Sequence, residues 1–248
     1  MQLAVHKFGT NAVSIIRHLL ARLRSEPALM FPQVKIKICC INSQAEADLA
    51  ISCGADTVGL VSAMPSGPGV ITEDLIASIA KAVSPNVQTF LLTSCQTAGG
   101  IFAQHQRCRT NTIQICDRLE RCAYLDLRKS LPGITLVQVI HVHDENSVNE
   151  AVAIAPCVDA LLLDSGNQSL AVKQLGGTGR VHNWNFSRDI CRNVRVPVFL
   201  AGGLSVANIT DAIETVRPSG VDVCRGVRSD GNLDINKLRA FVSAVRST

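Results

Sequence analysis

From Val34 onward, short apolar runs alternate with longer amphipathic stretches almost to the last residue. The runs are VKIKICC (34–40), TVGLV (57–61), QTFLLT (88–93), TIQIC (112–116), TLVQVIHV (135–142), DALLLD (159–164), PVFLA (197–201) and GVDVC (220–224). Between them SQAEADLAISCGA, TEDLIASIAKAV, ENSVNEAVAIA, VANITDAIETVR and DINKLRAFVSAVR carry helical spacing. β-Branched and aliphatic runs separated by such stretches are the pattern of βα units on a parallel sheet. Thr72 ahead of Asp74 and Leu75 predicts a helix start, and Gly54 after Cys53 a helix stop.

Eight strands and about eight helices leave two architectures. A doubly wound open sheet carries its glycine-rich loop near its beginning. Here the glycines come late: LGGTGRVHNW (175–184) follows the sixth run, LAGGL (200–204) spans the seventh, and Gly226 follows the eighth. A (β/α)8 TIM barrel has its usual phosphate site in the loops after strands seven and eight, on the face that also holds the active site. The glycines therefore select the α/β barrel, over residues 34–248, preceded by an N-terminal extension at 1–33. Within that extension VSIIRHLLARL has helical amphipathic spacing and predicts an extra helix closing one end of the domain. Residues 1–24 hold Lys7, Arg17, Arg22 and Arg24 and no acid, a composition shared with organelle-targeting segments.

The composition suits a large core, with 47% hydrophobic and 18% charged residues. No apolar run approaches the ~18–20 residues of a membrane span. The net charge of +4 is mild, and no basic tract is interleaved with aromatics, so neither a membrane nor a nucleic acid is an expected partner. Ten cysteines in a chain neither short nor core-poor argue against a disulfide framework and for buried thiols in the cytoplasm. No Cys-x-x-Cys pair occurs, and His141 and His143 lack a third ligand of suitable spacing, so no metal site is expected.

Glycine costs backbone entropy and is used where φ is positive or something approaches the backbone closely. Clustered N–H groups ahead of a helix make an anion site. By that logic Gly177, Gly202, Gly203 and Gly226 are candidate phosphate contacts, helped by the start of a helix at Asn208 and Ile209, with Arg225 and Arg228 as charge partners; the bland alternative is tight turns. The stretch from Ser165 to Trp184 reads as a cover, with Thr178 closing over a ligand and Gly176 and Gly179 as joints. Catalytic groups in barrels come from strand ends. Asp164 ends an otherwise apolar strand, and Asp222, inside the eighth, is a candidate substrate contact. Because side chains alternate, Lys37 and Cys39 should face the interior and Cys40 the helices. Cys39 and Asp164 then stand on opposite sides of one bound molecule as base and acid.

These residues resemble the phosphoribosylanthranilate isomerase family over about Lys35 to Arg246. The resemblance rests on KICCINSQAEADLAISCGADTVGLV, DALLLDS with GGTGRVHNW, and FLAGGLSVANITDAIETVRPSGVDV through GNLDINKLRAFVSAVR. It implies a cofactor-free Amadori rearrangement of N-(5-phosphoribosyl)anthranilate in tryptophan biosynthesis, by a monomer or homodimer acting on a small phosphosugar. Cys39 falls on the family's general base, Asp164 on its general acid, and Gly202, Gly203 and the segment Cys224, Arg225, Gly226 on its phosphate loops. Several positions depart from the family. Cys40 replaces a glycine, Pro68 an arginine that holds the anthranilate carboxylate, Cys116-Asp117 a His-Gly pair, Cys224 and Arg225 paired serines, and Arg228 a glutamate. Two alternatives stay open: a related isomerase acting on a different amine, and a non-catalytic phosphometabolite-binding barrel.

Overall fold

A computed structural model of the chain describes residues 33–167, 170–177 and 179–248. The expected N-terminal helix, the 1–24 segment and Thr178 lie outside the described residues.

Eight parallel strands close into a barrel in sequence order. They are β1 (Lys35–Ile38), β2 (Thr57–Val61), β3 (Gln88–Thr93), β4 (Thr112–Ile115), β5 (Thr135–His141), β6 (Ala160–Asp164), β7 (Val198–Leu200) and β8 (Gly220–Val223). Each is followed by a helix: α1 (Gln44–Ser52), α2 (Glu73–Ala82), α3 (Ala98–Cys108), α4 (Arg121–Ser130), α5 (Glu145–Ile154), α6 (Trp184–Asn193), α7 (Ile209–Val216) and α8 (Ile235–Arg246). All eight strands fall inside the runs read from the sequence. The barrel closes where β1 lies beside β8, with Lys37 opposite Asp222.

Local chemistry sets the helix starts. Thr72, Ser43, Thr97, Asn183 and Asp234 each accept a backbone N–H of the first turn through the side chain, satisfying donors that a helix leaves unpaired. Cys53 caps α1, and Gly54 follows it with φ +104°.

Strand alternation divides the core in two. Leu91, Ile113, Leu136, Ile140, Leu161 and Leu200 face outward into the layer shared with Ile79, Ile101, Leu127, Ile190, Leu238 and Phe241 of the helices. Phe90, Leu92, Val137, Val139, Leu162 and Phe199 fill the barrel interior, where Phe90 and Phe199 meet edge to face at 5.9 Å. This packing makes the interior a floor rather than a pore. Side chains at the C-terminal ends of the strands therefore border a shallow bowl.

Candidate active site

The bowl is a 380 Å³ pocket bordered by Cys39, Asp164 and the glycine loops. Cys39 and Cys40 lie just past the end of β1. Two strands, β7 and β8, separate β1 from β6.

The Cys39 side of the pocket is built from the floor upward. Lys37 is fully buried in the barrel, its Nζ 2.9 Å from Asp222 Oδ2 and 5.2 Å from the Phe90 ring centroid. Burial alone would lower its pKa, but the Asp222 carboxylate and the Cys39 sulfur outweigh that, and the ammonium is held above its ordinary range. Burial pushes Asp222 up while Lys37 pulls against it. Asp222 is thus the countercharge of a buried lysine at the pocket floor, and its Oδ1 has no hydrogen-bond partner. The Cys39 sulfur adds to the electrostatic hold on the Lys37 ammonium. Gly59 on β2 makes this crowding possible: a Cβ there would lie 2.9 Å from Cys39 Sγ and 3.0 Å from Lys37 Nζ. Sequence reading passed over Gly59, although a glycine inside a strand is a recognised sign of close approach.

Across the pocket Asp164 ends β6 opposite His141 on β5. Its Oδ1 accepts the Ser165 N–H at 2.7 Å. A Cβ at Gly176 would fall 2.7 Å from Oδ2, so that glycine leaves the second oxygen room at the pocket wall. Two imidazoles flank the carboxyl. Burial pushes His141 down, against a hydrogen bond to the Cys116 carbonyl and the pull of Asp164. His182, bonded to Ser187 Oγ at 2.6 Å, is pushed down to about 4 by burial, with Asp164 opposing. Both are neutral at pH 7. His182, in the loop after β6, was not singled out by sequence.

At the glycine rim, a Cβ at Gly203 would meet the backbone of Arg180 and Val181 at 2.8 Å, and one at Gly226 would collide with the Leu204 carbonyl. The tight-turn reading is therefore part of the answer: the β6 loop packs down on the β7 glycines. The same glycines also line the pocket with Gly177, Cys224 and Arg225. Arg225 lies against Gly179 and is the one cationic side chain among the described lining residues. The start of α7 does not serve as expected, because the Asn208 and Ile209 N–H groups both donate to the Ser205 carbonyl. Arg228 is also committed elsewhere. It pairs with Glu46 through both terminal nitrogens, at 2.7 and 2.9 Å, and donates to the Cys40 carbonyl at 2.7 Å. It anchors the β8 loop to α1 rather than offering charge to a ligand.

Cys40 departs from its expected place facing the helices. Its φ of +61° is left-handed, a region that penalises a side chain and favours glycine. The turn swings Cys40 to the pocket rim, where it packs so closely on Gly69 that a Cβ there would lie 2.5 Å away.

The wall opposite the glycine rim is apolar, with Met64, Leu92, Cys116 and Leu175. Pro68 stands against the β6 loop, where a Cβ at Gly177 would come within 2.8 Å of its Cδ. That loop has structure of its own. Asn167 and Gln174 exchange two backbone hydrogen bonds, Ser66 Oγ donates to the Lys173 carbonyl at 2.7 Å, and Lys173 Nζ pairs with Asp117 at 2.6 Å. Buried Gln114 borders the pocket, and its Oε1 is unpartnered. Among the described residues no cluster of His, Cys, Asp or Glu is arranged to hold a metal ion.

Fold and pocket together set titratable strand-end side chains beside a glycine rim, on the face where barrel enzymes carry their active sites. The comparisons narrow that class. The model of the N-(5'phosphoribosyl)anthranilate (PRA) isomerase family matches residues 36–244, and this chain belongs to that family. An N-(5'-phosphoribosyl)anthranilate isomerase of Methanocella arvoryzae is 32% identical over 215 residues, 86% of this chain and 99% of the relative. One from Haloferax volcanii is also 32% identical over 215 residues, 86% of this chain and 93% of its own. In fold, the crystal structure of phosphoribosyl anthranilate isomerase from Thermotoga maritima matches with a TM-score of 0.72 at 24% identity, over 87% of this chain and 100% of that one.

Proposed function

We propose that this chain catalyses the cofactor-free Amadori rearrangement of N-(5-phosphoribosyl)anthranilate, the substrate in its relatives' names, as a step of tryptophan biosynthesis. The observation that carries the reading is the placement of Cys39 and Asp164 on one pocket, beside the glycine loops after β7 and β8. Asp164 gives its proton to the furanose ring oxygen, the C1–O bond breaks, and the anilino nitrogen supplies the electrons to form an iminium ion. Cys39 then takes the C2 proton, leaving an enolamine that tautomerises to the aminoketose. The Lys37 ammonium beside the Cys39 sulfur supplies the countercharge a thiolate base needs. The backbone around Gly177, Gly202, Gly203, Cys224 and Gly226, with Arg225, grips the phosphate.

Every group invoked belongs to a single chain. None of the ten cysteines is in a disulfide, which suits a reducing compartment such as the cytoplasm.

A second reading keeps the chemistry and changes the amine. It is favoured by Pro68, which closes the wall against Gly177 where the resemblance calls for a carboxylate-holding arginine. The test is turnover of phosphoribosylanthranilate generated in situ, followed by loss of its fluorescence. Turnover that Asp164→Asn and Cys39→Ala each lower by at least about 100-fold supports the first reading. Turnover of other phosphoribosyl amines alone selects the second. A phosphosugar that raises the melting temperature with no reaction would make the barrel a binding protein.

A further inference from the structure

Two of the departures from the family, Cys40 and Cys224, meet. The register that sets Lys37 opposite Asp222 and Ile38 opposite Val223 carries on past the strand ends, where the Cys39 N–H bonds the Val223 carbonyl at 2.9 Å. That register sets Cys39, not Cys40, opposite Cys224, across adjacent strands ~4.8 Å apart. The left-handed turn at Cys40 then brings a third thiol to the same place. The Cys40 thiol interacts with those of Cys224 and Cys39, and Arg228 holds the Cys40 carbonyl in position. Both Cys40 and Cys224 line the pocket, and both line a second, 340 Å³ cavity with Asn42, Gly69 and Arg228. A small oxidant therefore has a route to them.

Their environments differ in the way an attacking and a resolving thiol differ. The neighbouring Cys40 thiol and the Arg228 charge hold Cys224 below the ordinary thiol range against its burial. Cys40 is pushed well above that range by the neighbouring Cys224 and Cys39 thiols and by burial. Elsewhere burial, the largest cause in each case, pushes Cys108, Cys116 and Cys191 up to about 12, where a thiol is inert to peroxide.

We propose that Cys40 and Cys224 form a reversible disulfide under peroxide, a modification site at the phosphate end of the pocket. The Cys224 thiolate attacks one peroxide oxygen, the O–O bond breaks, and the released hydroxide is protonated to water, leaving Cys224 as a sulfenic acid. The Cys40 sulfur then attacks the Cys224 sulfur, the S–O bond breaks, and a second water leaves with the Cys40 proton. Two thiols and one peroxide become one disulfide and two waters. A dithiol reductant reverses it. The bond pulls Cys40 away from Gly69 and over the segment proposed to grip phosphate, so turnover falls with it.

The test is peptide mapping by mass spectrometry of the full chain after hydrogen peroxide, with free thiols alkylated first. The expected result is a linked peptide pair joining Cys40 to Cys224, absent without peroxide and lost on reduction. Cys40→Gly, which suits the left-handed backbone, should keep its turnover and give no link. Both thiols alkylated after peroxide, or oxygen added to Cys39 while both remain reduced, would overturn the proposal. The wild-type map decides even if the variant folds poorly. It does not depend on which substrate the barrel turns over, so a failed isomerase assay and a missing cross-link are separate results.

Discussion

Gly59→Ala tests the placement of the base with one methyl group. The added Cβ would sit 2.9 Å from Cys39 Sγ, 3.0 Å from Lys37 Nζ and 3.2 Å from Cys39 Cα. Non-bonded heavy atoms rest at ~3.5–4.0 Å, so the sulfur must retreat by roughly 0.6–1.1 Å. The lysine has little room to give way, because it is fully buried and pinned by Asp222 and Phe90. The strain therefore goes into the Cys39 turn. A misplacement of about 1 Å in a reacting group costs ~10²-fold in rate, which is ~2.7 kcal/mol of barrier. Overpacking of this size lowers fold stability by ~1–3 kcal/mol, or roughly 2–12 °C in Tm for a chain of this size. Steady-state turnover of phosphoribosylanthranilate should show kcat down about 100-fold with KM little changed, since Arg225 and the glycine rim lie elsewhere. Full kcat at an unchanged Tm would refute the claim that space at Gly59 positions the base.

Arg225→Ala should raise KM by roughly 10-fold or more, from the ~1.5–3 kcal/mol of a charged hydrogen bond. Arg228→Ala should instead lower the stability measured in urea by ~3 kcal/mol or more, because it strands nearly buried Glu46. Lys37→Met leaves Asp222 buried and unpaired and should cost ~3–5 kcal/mol; adding Asp222→Leu should recover stability but not turnover. His182 has a folded pKa of about 4 against 6.5 when unfolded. The unfolded chain therefore takes up the proton first, and the neutral ring's contribution is intact above pH 6.5 and lost as pH falls toward 4, up to about 3 kcal/mol. Urea titrations from pH 7 to 4 should show a shallower decline for His182→Gln than for the wild type; equal slopes would contradict the burial argument.

The strand runs were legible because a parallel barrel strand packs on both faces and must be apolar nearly throughout. Their order, and the glycines after the sixth to eighth, sufficed to choose a barrel. Cys39 and Asp164, which line one pocket, stood out because each carries unusual chemistry at the end of an apolar run. What the sequence by itself determined was therefore periodic or chemically conspicuous. Tertiary structure alone decided how individual side chains are used, since that depends on neighbours distant along the chain. Arg225 and Arg228 look alike in sequence, yet one lines the pocket while the other is bound to Glu46, 182 residues away. Cys40 obeys strand alternation on paper, but the strand ends at Ile38 and a left-handed turn redirects it to Cys224. Gly59 gives no sign of its partners until the barrel closes and β2 presses on the ends of Lys37 and Cys39.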